Sequence, residues 1–200
     1  KWGLMSTQGT ELTPVIYDDI KVAKSTGMSR NLVQKGNKWG LVDHKGKEIV
    51  PVKYDELSYA SNDELLLFSK LNNKWGLIDA MTGAEIIAPA YDDLSIFTTS
   101  DKRKIQFLRI RRNGKTGVAN MLGKELIPPE YDLVMSNSFL GFDKGPITVG
   151  LGKKMGYVDG KGTLVIPIRY DYAHNFTEDG TARVRINKKW FTIDQEGRRL

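Results

Sequence analysis

The triplet Lys-Trp-Gly, followed about fifteen residues later by Pro-x-x-Tyr-Asp, returns along this chain at a nearly constant interval, and this limits the fold more than any other feature. Trp2, Trp39 and Trp75 are separated by 37 and 36 residues. Thr116-Gly117 and Met155-Gly156 occupy the Trp-Gly slot of the next two copies, and Trp190-Phe191 opens a sixth. Tyr17, Tyr54, Tyr91, Tyr131 and Tyr170 keep the same register, each followed by Asp and four of the five preceded by Pro at the third position back. A period of roughly 20–50 residues marks repeat architectures, because one such unit cannot bury its apolar face without neighbours. The chain therefore divides into units 1–37, 38–73, 74–114, 115–153 and 154–188 of one repeat domain spanning 1–200, with a capping strand at 189–200.

One unit reads as a three-stranded meander of about 37 residues. Trp39 to Asp43 alternates as a strand that puts Trp39 and Leu41 on one face and Gly40 and Val42 on the other. Asp43-His44-Lys45-Gly46 suits a type I turn, with the carboxylate capping backbone N–H groups and Gly taking positive φ. The device returns at Ser6 to Gly9, Asn120 to Gly123, Asp159 to Gly162 and Asp194 to Gly197, with one extra residue between Asp79 and Gly83. A second strand from Glu48 to Tyr54 places Val50, Val52 and Tyr54 on a core face. Pro51, lacking an N–H, belongs at a sheet edge or bulge. A variable segment follows, then a third apolar run at Leu65 to Phe68. Turns such as Asn113-Gly114 lead into the next unit. No segment keeps helical spacing of apolar residues for three turns. The fold class is all-β: a tandem array of meanders, open and twisted, with a propeller-like closed ring as the alternative.

The runs Lys38-Trp39-Gly40-Leu41-Val42-Asp43 and Pro51-Val52-Lys53-Tyr54-Asp55 resemble the bacterial WG-repeat family, also called KWG repeats, and the resemblance covers essentially the whole chain. It implies a β-repeat architecture without a shared enzymatic activity, in proteins often associated with the bacterial envelope or joined to other domains. A periplasmic or outer-membrane-associated location is thereby favoured over the cytoplasm. Residue 1 lies inside a repeat and reads as a cut or processed end.

With no cysteine, the chain has no disulfide, zinc-thiolate site or cysteine nucleophile. No apolar run approaches the roughly 20 residues of a membrane-spanning helix. The net charge of +6 concentrates in Lys102-Arg103-Lys104, Arg109, Arg111, Arg112 and Lys115, with a second group at Arg183, Arg185, Lys188 and Lys189. Those charges are too dispersed to point to nucleic acid and suit solvent-facing strands or an acidic partner.

Repeated Trp-Gly invites a carbohydrate platform, yet a Trp buries on the order of 200 Å² and an adjacent Gly admits close approach of another backbone, which suits packing between units. Trp2, Trp39, Trp75 and Trp190, with the five tyrosines, are therefore the expected repeat core. The Tyr-Asp acids do not gather like a calcium loop and read as turn caps. His44 and His174 join no catalytic or metal-ligating motif, and Gly150 to Gly156 misses phosphate-loop spacing. No cofactor, metal or enzymatic activity is expected. The expected role is a protein interaction or assembly module within a larger protein or complex, the alternative being a carbohydrate or cell-wall binding module. The variable segments after Tyr-Asp should line one side and carry the contacts, through Phe97, Phe139, Leu140 and Phe142, with Arg109 and Arg111 at the rim.

Overall fold

The computed structural model describes residues 1–22, 30–60, 65–97, 107–135 and 145–200. Among the described residues every regular element is a β-strand, and the strands form separate antiparallel sheets of three or four. The chain groups into two compact units, Lys1–Tyr91 and Asp92–Leu200.

Unit 1 begins with a half-sheet in which Trp2 bridges Tyr17 and Met5 bridges Glu11. Its first full sheet is β1 (Asp19–Val22), β2 (Asn31–Lys35), β3 (Lys38–Val42) and β4 (Glu48–Tyr54), in that spatial order. Its second is β5 (Glu56–Tyr59), β6 (Leu66–Leu71), β7 (Lys74–Asp79) and β8 (Glu85–Tyr91). Unit 2 holds β9 (Asp93–Phe97), β10 (Phe107–Arg112), β11 (Lys115–Asn120) and β12 (Glu125–Tyr131) as one sheet. Another contains β13 (Leu133–Val134), β14 (Ile147–Leu151), β15 (Lys154–Val158) and β16 (Leu164–Tyr170). The last is three-stranded, with β17 (Tyr172–Ala173), β18 (Ala182–Ile186) and β19 (Lys189–Ile193).

The full sheets have one strand more than the repeat pattern predicts. The residues directly after Tyr-Asp pair as an additional edge strand, and the chain crosses from one sheet to the next at the Asp. The sheet boundary is thus offset from the Lys-Trp-Gly boundary. Each added strand carries a buried or partly buried apolar residue three places after the tyrosine: Ile20, Leu57, Leu94, Val134 and Ala173. The segment 189–200 supplies β19, which pairs with β18 in the last sheet.

The fourth strand is bulged in the same way in each full sheet. Trp39 pairs with Tyr54 and Leu41 with Val50, so two residues of β3 face four of β4. The register jumps equally between Trp75–Tyr91 and Leu77–Ile87, Thr116–Tyr131 and Val118–Ile127, and Met155–Tyr170 and Tyr157–Ile166. Pro51 lies on this outer, bulged strand, where its missing N–H costs no ladder bond. The bulge corrects the expected facing of Val52. Val50 and Tyr54 join one apolar cluster with Leu41, whereas Val52 packs with Val33, Val42 and Tyr17 on the opposite face.

Both faces of the first full sheet are therefore covered. Leu32, Leu41, Val50 and Tyr54 meet Leu57, Leu67 and Ile78 of the second sheet. In unit 2, Val118 and Ile127 meet Val134, Ile147 and Val149, and Tyr157, Ile166 and Tyr170 meet Ala173, Val184 and Ile193. Sheets stacked face to face in this way bury apolar side chains that alternate on each strand.

Candidate functional site

The most regular polar arrangement in the structure is a clip built by the Asp of each Tyr-Asp. One carboxylate oxygen takes the ammonium of the Lys that opens Lys-Trp-Gly, giving Lys1–Asp18, Lys38–Asp55, Lys115–Asp132 and Lys154–Asp171. The other oxygen accepts the first backbone N–H of the next hairpin turn: Gly36 to Asp18, Asn72 to Asp55, Asn113 to Asp92, Gly152 to Asp132 and Asn187 to Asp171. Those turns need positive φ, which Asn72-Asn73, Asn113-Gly114 and Asn187-Lys188 adopt at both central residues. Asp55 thus ties a Lys of the first full sheet to a hairpin of the second, while Asp132 and Asp171 link neighbouring sheets in unit 2. The expected turn-capping role is found, but on the hairpin ahead, and the Lys of the motif gains a partner that its sequence spacing alone did not disclose.

The Lys hydrogen bond, reinforced by the turn N–H, holds the carboxyls of Asp18, Asp55, Asp132 and Asp171 below the usual Asp range. A depressed folded-state pKa contributes stability that is present above the unfolded pKa of about 4 and is lost as pH falls through the folded value. Thermal melts should therefore be nearly flat from pH 7 down to about 5 and fall steeply below about 4. Asp55→Asn, which keeps the side-chain shape without the charge, should lower the melting temperature at pH 7 and shrink the acid-dependent drop. An acid limb identical to wild type would remove Asp55 from the titrating set.

The turns of the Asp-x-x-Gly type behave as their sequence predicts. Asp43 accepts the N–H groups of Lys45 and Lys47, Asp159 those of Lys161 and Thr163, and Asp194 those of Glu196 and Arg198. The following glycines lie against a neighbouring repeat: a Cβ on Gly46 would fall 2.0 Å from the carbonyl oxygen of Leu12, and one on Gly83 2.1 Å from that of Ile49.

The glycine of Trp-Gly has a different neighbour from the expected one. A Cβ at Gly40 would lie 2.7 Å from the carbonyl oxygen of Val50, and at Gly76 2.4 Å from that of Ile87. The close backbone is the bulged fourth strand of the same sheet, not another unit.

The tryptophans depart from their assignment to the core. Trp2 is 64% exposed and Trp190 39%, while Trp39 and Trp75 are half-buried. Tyr17, Tyr54, Tyr91 and Tyr170 are buried, and Tyr131 is half-buried. The Trp slot lies on the non-hydrogen-bonded pair beside a hairpin, where its large ring overhangs the sheet rim and meets a cation. Lys21 lies 4.3 Å from the Trp39 ring centroid, Lys70 5.1 Å from that of Trp75, and Arg183 and Arg185 5.3 and 5.4 Å from that of Trp190.

Of the predicted contact residues, Phe139, Leu140 and Phe142 and the Phe97 side chain lie outside the described residues. Arg109 and Arg111 are exposed on one face of β10, alternating with the buried Leu108 and Ile110. His174, set aside in the sequence, belongs to a cluster on the last sheet, with its ring 5.1 Å from Tyr172 and 5.3 Å from Trp190. His44 is exposed in its turn. No group of three His, Cys, Asp or Glu placed to hold a metal occurs among the described residues, nor does a helix long and apolar enough to cross a membrane.

Stacked bulged meanders joined by a repeated Lys–Asp–turn clip define a tandem β-repeat protein. The chain belongs to the WG containing repeat family, whose model matches residues 2–39, 39–75, 75–115, 117–138 and 155–190. No curated protein matches it. Among solved structures, a crystal structure of a eukaryotic initiation factor is similar at 11% sequence identity and a TM-score of 0.39, over 96% of this chain and 57% of that one.

Proposed function

We propose that this chain is a non-catalytic protein-interaction module. The observation that supports this reading is how the repeat uses its charged groups. The motif Lys and Asp residues are spent on joining sheets and capping turns, while Arg109 and Arg111 stand exposed on one strand face. Arg109 and Arg111 occupy the places that Leu32 and Gln34 hold in the first full sheet, as their register opposite Val118 and Thr116 places them. Exposed cations beside a stable scaffold favour fast association with an acidic surface.

Affinity capture from the native source with the 200-residue chain, followed by cross-linking, should recover a stoichiometric protein. Arg109→Glu with Arg111→Glu should flatten the salt dependence of that capture without changing the melting temperature. Recovery of no protein, together with tight binding of a polysaccharide, would replace this reading with glycan recognition.

A further inference from the structure

One repeat of unit 2 lacks the ring that the others carry. Thr116 pairs with Tyr131 as Trp39 pairs with Tyr54 and Trp75 with Tyr91. On its other side Thr116 faces Arg111, as Trp75 faces Lys70 and Trp190 faces Arg185. In those two sheets the cation lies over the indole, Lys70 at 5.1 Å and Arg185 at 5.4 Å from the ring centroid. At Thr116 the cation is kept and the ring beneath it is gone.

The neighbours of the missing ring are uncovered to match. Tyr131 is half-buried, where Tyr54 and Tyr91 are 1% and 4% exposed. Leu151, on the next sheet, is 44% exposed, while its counterpart by register, Leu71, is half-buried against the cluster that Trp39 joins. Thr116 itself is buried and forms the floor. Where Met155 replaces the Trp, its thioether still fills the slot and its tyrosine, Tyr170, stays buried. Threonine is too small to do the same.

Polar groups at this rim are unspent as well. The hydroxyls of Thr116 and Tyr131 make no hydrogen bond among the described residues. Tyr54 donates to Glu85, which opens the fourth strand of the following sheet, but the residue that opens it after Tyr131 is Leu164, 48% exposed. Arg111 has no ion pair among the described residues, although Asp93 stands opposite it on β9.

We propose that the slot over Thr116 receives a tryptophan side chain of a partner protein, whose indole lies under the Arg111 guanidinium and against Tyr131 and Leu151. The inference rests on the reading of the chain as an interaction module and names the side chain that the partner inserts. The other sheets of this protein show what the slot accepts, an indole with a cation over its face. A guanidinium favours an aromatic face over an aliphatic chain, and the Thr116 hydroxyl oxygen is an acceptor for the indole N–H. Protein interfaces draw much of their binding energy from a few such anchors seated in pockets, with Trp, Tyr and Arg enriched among them.

The test uses the 200-residue chain and N-acetyl-fluorotryptophanamide, read by fluorine NMR. The probe signal should broaden and shift saturably, and an excess of N-acetyltryptophanamide, but not of N-acetylleucinamide, should reverse the change. Thr116→Trp, which fills the slot from within, should abolish probe binding and raise the melting temperature. Arg111→Gln should weaken binding about threefold or more, whereas Lys161→Gln, on an exposed turn, should change it less than about twofold. Absence of probe binding to the wild-type chain overturns the proposal, as do binding that survives Thr116→Trp, a fall in melting temperature with that change, and equal competition by the leucine compound. A wild-type chain that dimerises in light scattering and that Thr116→Trp makes monomeric would replace the partner protein with a second copy. Undiminished capture of a native partner by the Thr116→Trp variant would refute this slot alone, while failure of the wild-type chain to capture any partner would refute the module reading.

Discussion

Gly83→Ala is expected to destabilise the protein by about 4 kcal/mol or more, whereas Gly36→Ala costs only about 1 kcal/mol. Both glycines have positive φ, +76° at Gly83 and +61° at Gly36, so both substitutions carry the left-handed penalty of an L-residue. Only Gly83 adds a collision. Its Cβ would lie 2.1 Å from the carbonyl oxygen of Ile49 in the first full sheet, an atom fixed in a strand, while nothing lies within 4 Å of a Cβ at Gly36. Relief requires the two sheets to part, so Leu41, Val50 and Tyr54 would lose contact with Leu57 and Ile78. Urea denaturation of the two variants measures the difference directly. Equal losses would mean that the turn does not hold the sheets in register.

Tyr54→Ala should cost about 3–5 kcal/mol and Trp39→Ala about 2 kcal/mol or less, reversing the order that residue size suggests. Tyr54 is 1% exposed, lies in the cluster between the first and second full sheets, and donates its hydroxyl hydrogen to Glu85 of β8. Burial, with the Glu85 carboxylate beside it, pushes the Tyr54 phenol far above its usual pKa. Truncation leaves a cavity and releases Glu85 to Lys53 alone. Trp39 leans on the same cluster from the rim, and its loss removes partial burial and the contact with Lys21. Thermal melts of the two variants, with Tyr54→Phe separating ring from hydroxyl, would check the ranking. A larger loss at Trp39 would restore the tryptophans to the core.

That reversal shows where reading the sequence reaches its limit. The spacing of Trp and Tyr reports a repeating contact but not which partner is inside, because burial depends on the neighbouring sheet. Val52 shows the same limit. Period-two alternation puts it beside Val50, and the bulge over Gly40 turns it to the other face. The edge strand after Tyr-Asp escaped notice because it is short, as in Glu56–Tyr59, where Leu57 is the one buried side chain and Tyr59 only leans on the cluster. Comparing the third residue after each tyrosine across the repeats would have found it.

The sequence by itself determined the period, the all-β class, the Asp-x-x-Gly turns with their positive-φ glycines, and the place of Pro51 on an outer bulged strand. These are local properties, set within a few residues by dihedral preference and hydrogen-bonding capacity. Tertiary structure alone decided the offset of sheet from repeat, the pairing of Asp55 with both Lys38 and Asn72, and the gathering of Tyr172, His174, Arg183, Arg185 and Trp190 on one face. Each of these joins residues on different strands or different sheets. Their proximity follows from register and from which sheet covers which face, and neither is encoded at any single position.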